Sequence, residues 1–233
     1  MIKSKKYENG KLYLSGGMEK CLADDPLGGK WRDTLSKKLK PLGFCAINIT
    51  ELDVAYTKEH GELYHGYDDM LLKKSNIRRH FVYTDLELIK HNSDAIVLYY
   101  DESVRLGAGT ISEAQVSYNL GLPIFIVNKF ADDTEIPGWL LALSTKIFNS
   151  FDELLGYLVA LPPKILIHDS YGNLHGGDHY LCSLCGDPFK KNKHHFVSKI
   201  SPLYCSPCVS VVTTTHEQHY DRYTFFTDYL TND

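Results

Sequence analysis

Apolar residues along the chain fall into short continuous runs, which alternate with longer stretches where they recur every three or four positions. Short apolar runs are typical of buried strands, and the wider spacing is typical of amphipathic helices. The strand-like segments are KLYLSGG at 11–17, FCAINIT at 44–50, DAIVLYY at 94–100 and LPIFIVN at 122–128. The main helix-like segments are GGKWRDTLSKKL at 28–39, TISEAQVSYNLG at 110–121 and NSFDELLGYLVALP at 149–162.

This alternation predicts an α/β fold, namely a doubly wound, Rossmann-like or flavodoxin-like parallel five-stranded sheet with helices on both faces. Ligands of such sheets bind beyond the carboxyl ends of the strands. Two segments are expected at that edge, the Gly16-Gly17 turn and the loop at 100–110. Glu113 follows this loop on the first turn of the next predicted helix, so we expect its side chain to face the crevice.

Residues with capping or helix-breaking chemistry mark the ends of the predicted helices. Pro41-Leu42-Gly43 ends the helix that begins near residue 28, and Asn149 or Ser150 caps the last one. The segment at 84–93 is predicted to be a short helix with Thr84 or Asp85 at its start. A separate helical pattern precedes it at 68–81.

Glu113 has two interpretations. In the first it forms a capping box with Thr110, because TISE places a glutamate three residues after a threonine, and its charge favours the positive end of the helix dipole. In the second it is a nucleophile or acid–base group, since carboxylates attack the anomeric carbon of sugars and form glycosyl intermediates. Gly107 and Gly109 precede it, and their lack of side chains would let a ligand approach the backbone closely.

Three ordered segments favour the second interpretation. They are YLSGGM at 13–18, DLELIKHNSDAIVLYYD at 85–101 and GAGTISEAQVSYNLGLPIFIV at 107–127. Together they resemble the nucleoside 2-deoxyribosyltransferase family and its nucleotide N-hydrolase relatives, across roughly residues 10–162. The resemblance implies an enzyme that cleaves or transfers the N-glycosidic bond of 2′-deoxynucleosides or their 5′-monophosphates.

The resemblance also implies a role for each matched residue. Glu113 would be the nucleophile, Tyr13 would hydrogen-bond its carboxylate and orient it, and Asp85 would be the acid near the sugar or base. From the residues alone, Tyr13 is equally well a core tyrosine and Asp85 a helix cap. The implied substrate-binding residues, which otherwise form a plain turn and a helix start, are Ser15, Gly16, Gly17, Gly107, Gly109, Thr110, Ser112 and Asp101.

One position departs from the family pattern. Transferases of the family often carry an Asp shortly before the Gly-Thr pair, where this chain has Gly107 and Ala108. Asp101 lies earlier in the same loop and is a candidate replacement, whereas Thr110 and Ser112 are closer to the phosphate loop of the hydrolase relatives. Transfer to a second base and hydrolysis therefore both stay open, and the chemistry needs neither a catalytic metal nor an organic cofactor.

Four of the six cysteines form two C-x2-C pairs, which residues 186–204 separate. This spacing is typical of a zinc ribbon, in which four thiolates fill a tetrahedral shell and leave no site for water, so we expect a structural Zn²⁺. His194 and His195 also give this segment a weak resemblance to HNH nucleases, although the expected Asn is missing. The predicted ligands are Cys182, Cys185, Cys205 and Cys208.

These features divide the chain into four segments. We expect the α/β domain at 1–162, a linker at 163–178, the zinc ribbon at 179–212 and a tail at 213–233. The ribbon is locally basic, which allows a contact with nucleic acid or with a protein partner.

Net charge and the length of the apolar runs limit which partners and which cellular compartment we expect. A net charge of −4 does not fit a surface built to hold nucleic acid or an anionic membrane. No apolar run approaches the roughly 20 residues of a membrane helix, and no signal peptide is recognisable, so we expect a cytoplasmic protein without a membrane partner.

The resemblance implies a homo-oligomer whose neighbouring subunit helps to close the site. Two other hypotheses remain, a nucleotide-binding module without turnover and a nucleic-acid-associated protein led by the ribbon.

Overall fold

A sheet of five parallel strands forms the centre of the fold, as the alternating pattern predicts. The strands are β1 (Gly10–Gly16), β2 (Phe44–Ile47), β3 (Ala95–Tyr100), β4 (Ile124–Asn128) and β5 (Lys146–Phe148). Their order, β2-β1-β3-β4-β5, is that of flavodoxin-like doubly wound folds. The predicted fold class is therefore confirmed, and the strand order reverses between β1 and β3.

The computed structural model describes residues 9–18, 25, 28–60, 75–130, 132, 135–163, 165–166, 179–182, 184–190, 205 and 208. Several sequence-based predictions lie outside these residues. They concern most of the linker at 163–178, the tail at 213–233, the helical pattern between 61 and 74, and the histidines at 194 and 195.

Six α-helices lie within the described ranges: α1 (Gly29–Leu39), α2 (Ile49–His60), α3 (Ser75–Asn92), α4 (Gly109–Asn119), α5 (Gly138–Leu143) and α6 (Phe151–Ala160). The predicted end of α1 is confirmed, because a 3₁₀ turn leads to Gly43, whose φ of 80° is one that L side chains rarely adopt. The predicted cap of α6 is also confirmed, since Ser150 Oγ accepts a hydrogen bond from the backbone N–H of Glu153 at 3.2 Å. None of these helices is long and apolar enough to cross a lipid bilayer.

The helices cover both faces of the sheet with separate apolar cores. On one face, α1 and α6 pack over Leu12 and Leu14 of β1. On the other face, α3, α4 and α5 pack over a core that includes Tyr13. Because successive side chains of a strand point to opposite faces, Ser15 points to the same face as Tyr13, toward α3 and α4.

The sequence-based boundary of α3 is wrong. We expected a short helix starting at Thr84 or Asp85, but the helix runs without a break from Ser75 to Asn92, so Asp85 lies in its interior and caps nothing. The reason is an apolar stripe, since Phe81 and Ile89 are both buried and lie four residues on either side of Asp85. Asp85 therefore lies on the buried face of the helix.

The end of β2 also differs from the prediction, and two short elements were not predicted. The strand predicted at 44–50 stops at Ile47, because Asn48 Oδ1 accepts hydrogen bonds from the backbone N–H and the hydroxyl of Thr50 and thereby starts α2. The segments GWLLAL (α5) and KIF (β5) were not recognised from the sequence, since each is too short to show a period.

The first C-x2-C pair lies at the turn of a small antiparallel hairpin, formed by β6 (His179–Leu181) and β7 (Pro188–Lys190). Gly186 completes the turn with a φ of 74°, and its N–H donates to the carbonyl of Cys182 at 2.9 Å. The hairpin contacts the α/β domain, because Tyr157 of α6 donates its hydroxyl to the Gly186 carbonyl at 2.5 Å and Leu181 joins the core beneath α6. The cysteine-bearing turn is thus packed at the amino-terminal end of β5.

Candidate active site

The Glu113 carboxylate is buried between α4 and the carboxyl end of β1. Tyr13 donates its hydroxyl to Glu113 Oε1 at 3.0 Å, and Ser15 donates its hydroxyl to Glu113 Oε2. Glu113 keeps 9% of its accessible surface, whereas Tyr13 and Ser15 keep none. Each carboxylate oxygen therefore has its own donor from the first strand, which fixes the orientation of the carboxylate.

The alternative of a capping box between Thr110 and Glu113 is wrong. Ala108 is the N-cap of α4, and the Glu113 carboxylate is bonded to Tyr13 and Ser15 of β1. The physical reason is the helix phase. Thr110, Glu113, Ala114 and Ser117 form the buried face of α4, so the glutamate points at the sheet and not back along its own first turn.

Asp85 of α3 and Asp53 of α2 lie near enough to Glu113 for its charge to raise the pKa of both. Burial, and next the charge of Glu113, raise the pKa of Asp85 to about 8, and a hydrogen bond with Tyr13 acts in the opposite direction. Burial also raises the pKa of Asp53 to about 6, against the opposing charge of Arg32. Tyr13, Asp85 and Glu113 are therefore brought together as the sequence suggested, and Asp53 is an addition that the sequence analysis missed.

A buried cation lies beside this group of acids. Arg32 of α1 is completely inaccessible, and its charge lowers the pKa of Glu113, Asp53 and Asp85. Burial is the larger effect on Glu113, so its pKa is raised above its usual value despite the hydrogen bonds from β1. Burial and the nearby carboxylate raise the pKa of Tyr13 well above its usual value, which keeps the phenol protonated as a donor.

The glycines at the end of β1 are required by packing. A Cβ on Gly16 would lie 2.9 Å from Trp31 Cζ2, and a Cβ on Gly17 would lie 2.0 Å from Ser103 Oγ. The turn therefore brings α1 and the loop after β3 against the end of the first strand. Whether these two residues also contact a ligand stays a prediction.

Packing does not explain the two glycines at the start of α4. A Cβ on Gly107 or Gly109 would meet nothing within 4 Å in the part of the chain that the structure describes, and neither residue has a positive φ. Fold and packing therefore do not require glycine at these two positions. Open space beside them fits the predicted approach of a ligand to this backbone.

The polar residues of the loop after β3 partly satisfy one another. Asp101 Oδ1 accepts from the backbone N–H and the hydroxyl of Ser103, so the carboxylate holds the shape of the loop. Ser112 Oγ donates to the Ala108 carbonyl at 3.0 Å, and Thr110 is buried at the start of α4. The structure therefore gives Asp101 and Ser112 local structural roles, and their contact with substrate stays a prediction.

The four cysteines of the two C-x2-C pairs converge, with their sulfur atoms all within 4.8 Å of one another. Cys185 Sγ and Cys205 Sγ are 3.8 Å apart, and the backbone N–H of Cys205 donates to Cys182 Sγ at 3.4 Å. Four thiolates around a tetrahedral ion with metal–sulfur bonds of about 2.3 Å would lie roughly 3.8 Å apart. This donor set and spacing could hold a metal ion, and the separation is too long for a disulfide.

No protein-family model matches the chain, and no curated protein matches it. Among solved structures, the chain is similar to the Clostridium botulinum CMP N-glycosidase BcmB, with a TM-score of 0.38 and 16% sequence identity. The match covers 64% of this chain and 96% of the other. A superposition this loose identifies neither a family nor an activity, so the function is inferred from the geometry around Glu113.

The raised pKa of Asp85 predicts a pH-dependent gain in stability for Asp85→Asn. An unfolded Asp has a pKa of about 3.9, so between about pH 4 and pH 8 the native state binds more protons at this position than the unfolded state does. The wild type therefore loses stability from this group as the pH rises through that window. Urea unfolding should show Asp85→Asn to be more stable than the wild type at pH 8, with a difference that shrinks toward pH 4.

Asp152→Asn is the matched control, because it removes the same charge at an exposed position. It should not reproduce the pH-dependent difference. An Asp85→Asn variant that is less stable than the wild type at pH 8, or that differs by the same amount at every pH, would contradict the buried and protonated state of Asp85.

Proposed function

We propose that this chain cleaves or transfers the N-glycosidic bond of 2′-deoxynucleosides or their 5′-monophosphates, with Glu113 as the nucleophile. One observation supports this proposal above the others, namely that Tyr13 and Ser15 each hold one oxygen of a buried glutamate. The carboxylate lies where the strand order reverses, which is the position of ligand sites in doubly wound sheets. A solvated or helix-capping glutamate would need neither of these two hydroxyl donors.

The first chemical step uses the fixed carboxylate. An oxygen of Glu113 attacks the anomeric carbon C1′, the C1′–N bond breaks, and its electron pair goes to the nitrogen of the leaving base. Asp85 donates a proton to the base, which it can do at neutral pH because its pKa is about 8. The transition state resembles an oxocarbenium ion, and the negative charges of the site stabilise it.

The second step releases Glu113. Water, or a nitrogen of a second base, attacks C1′ of the glycosyl intermediate, the ester bond to Glu113 breaks, and the proton of the attacking group returns to Asp85. Tyr13 and Ser15 again stabilise the carboxylate as its charge reappears. Hydrolysis and transfer differ only in this acceptor.

Glu113→Gln should abolish base release, with a loss of at least about 10³-fold in kcat/KM, since an amide cannot form the glycosyl intermediate. Tyr13→Phe should lose roughly 10- to 100-fold, because it leaves the carboxylate in place and removes one donor. The assay is chromatography of reactions with a panel of 2′-deoxynucleosides and their 5′-monophosphates, with and without a different free base. Dependence on the added base separates transfer from hydrolysis.

Glu87→Gln on α3 is the control, since this glutamate is partly exposed and pairs with His91. It should keep wild-type rates. Absence of turnover by the wild type on the whole panel would contradict the proposed enzyme. A ligand retained without turnover would instead favour a nucleotide-binding module.

The cysteine cluster is proposed to hold a structural Zn²⁺ within a ribbon at 179–212, following the α/β domain at 1–162. Four thiolates suit zinc and complete its coordination shell, so the site offers stability and no reaction. The hydrogen bond between Tyr157 and the Gly186 carbonyl would couple metal binding to the packing of α6.

The purified chain should contain about one equivalent of zinc, and Cys182→Ser should lose it and melt several degrees lower. Cys45→Ser is the matched control, because Cys45 is a half-buried cysteine of β2 outside the cluster. Metal content is measured by mass spectrometry and melting by calorimetry. Full zinc content in Cys182→Ser, or equal loss in Cys45→Ser, would contradict the assignment.

A further inference from the structure

The buried guanidinium of Arg32 binds backbone carbonyls on either side of Ser15. Its Nε donates to the Leu14 carbonyl at 3.1 Å, and its Nη2 donates to the Gly16 carbonyl at 2.8 Å. A third donor, Nη1, bonds the Gly28 carbonyl at the start of α1 at 2.7 Å. Two of the three hydrogen bonds therefore tie α1 to the end of β1 and flank the residue that bonds Glu113, and the third holds the side chain against the start of its own helix.

We propose that Arg32 is a positioning residue of the active site, which fixes the direction of the Ser15 hydroxyl toward Glu113 and stabilises the Glu113 carboxylate with its charge. The hydrogen bonds of Arg32 do not depend on the proposed function. Only the expected effect of Arg32 on kcat rests on it.

The surroundings of Arg32 fit this role. The guanidinium carbon lies 4.5 Å from the centre of the Trp31 ring, so an aromatic face supports the cation. A Cβ on Gly16 would lie 2.9 Å from Trp31 Cζ2 and 3.3 Å from Arg32 Nη2, so these two side chains together favour the glycine beside Ser15. Arginine also suits the site better than lysine, because its planar fork reaches several fixed carbonyls at once.

The charge of Arg32 is opposed by acids from three other helices. Glu113 on α4, Asp85 on α3 and Asp53 on α2 all respond to this cation, which lowers the pKa of each. It also lowers the pKa of Tyr13 on β1, although burial and Glu113 dominate there. A buried cation among acids is expected to favour the ionised form of the nucleophile.

Carboxyl ¹³C NMR tests the electrostatic part of this inference without any turnover. The Glu113 signal is assigned by its absence in Glu113→Gln, and its titration is followed in the wild type, Arg32→Met and Arg32→Lys. Arg32→Met should move the titration of Glu113 to higher pH by about one unit or more, while Arg32→Lys should move it less. Arg79→Met is the control, because Arg79 is exposed on α3, and it should leave the titration unchanged.

A double-mutant cycle tests the positioning of Ser15. Arg32→Lys and Ser15→Ala should each lower kcat by roughly 10- to 100-fold, and the double variant should be no slower than the slower single variant. Additive losses would show that Arg32 does not act through Ser15. This cycle uses variants that keep a positive charge at position 32, so it remains informative if Arg32→Met does not fold.

The outcomes separate this inference from the proposed function. An unmoved Glu113 titration in Arg32→Met overturns the electrostatic role, whatever the activity of the protein. A shifted titration in a protein without glycosidic turnover supports the role of Arg32 and refutes the proposed reaction. Wild-type kcat in Arg32→Lys overturns the positioning role.

Discussion

The site depends on one constraint, the burial of the Glu113 carboxylate under the carboxyl end of the first strand. Removing an ionised carboxylate from water costs several kcal/mol unless donors and opposite charge replace the lost hydration. The hydroxyls of Tyr13 and Ser15 supply the donors, and Arg32 supplies the charge. The compensation is incomplete, since burial still raises the pKa of Glu113, and an incompletely stabilised carboxylate is a better nucleophile than a solvated one.

The doubly wound topology brings these groups together from distant parts of the sequence. Tyr13 and Ser15 come from β1, and the first four helices contribute one charged residue each: Arg32, Asp53, Asp85 and Glu113. The strand order reverses between the paired strands β1 and β3, and ligand sites of doubly wound sheets lie at the carboxyl ends of the strands at such a reversal. The cysteine cluster lies apart from this crevice, against the start of β5 and the second half of α6, so the candidate metal site and the candidate active site are in different parts of the fold.

The sequence predicted the sheet and three residues that the fold brings together at the candidate site, and it missed two others whose positions depend on helix phase. Apolar runs located four strands, and the ordered segments around Tyr13, Asp85 and Glu113 indicated residues that the fold brings together. Arg32 was missed because a charged residue in an amphipathic helix is assigned to the solvent by default, and Asp53 was missed because α2 itself was not predicted. Their positions carried a usable signal, since Arg32 shares a stripe with Leu35 and Leu39, and Asp53 follows Ile49 by one turn. The hydrogen bonds of Ser15 and Arg32 join residues far apart in the chain, so no local pattern reveals them.

The stereochemistry of methanolysis tests the central claim, that Glu113 forms a glycosyl intermediate, most directly. Two successive displacements at C1′ retain the configuration, whereas direct attack by solvent inverts it. A β-2′-deoxynucleoside is incubated with the protein in water containing methanol, and the methyl 2-deoxyriboside is identified by proton NMR before the anomers equilibrate. The account predicts the β-methyl glycoside. The α-anomer would contradict it.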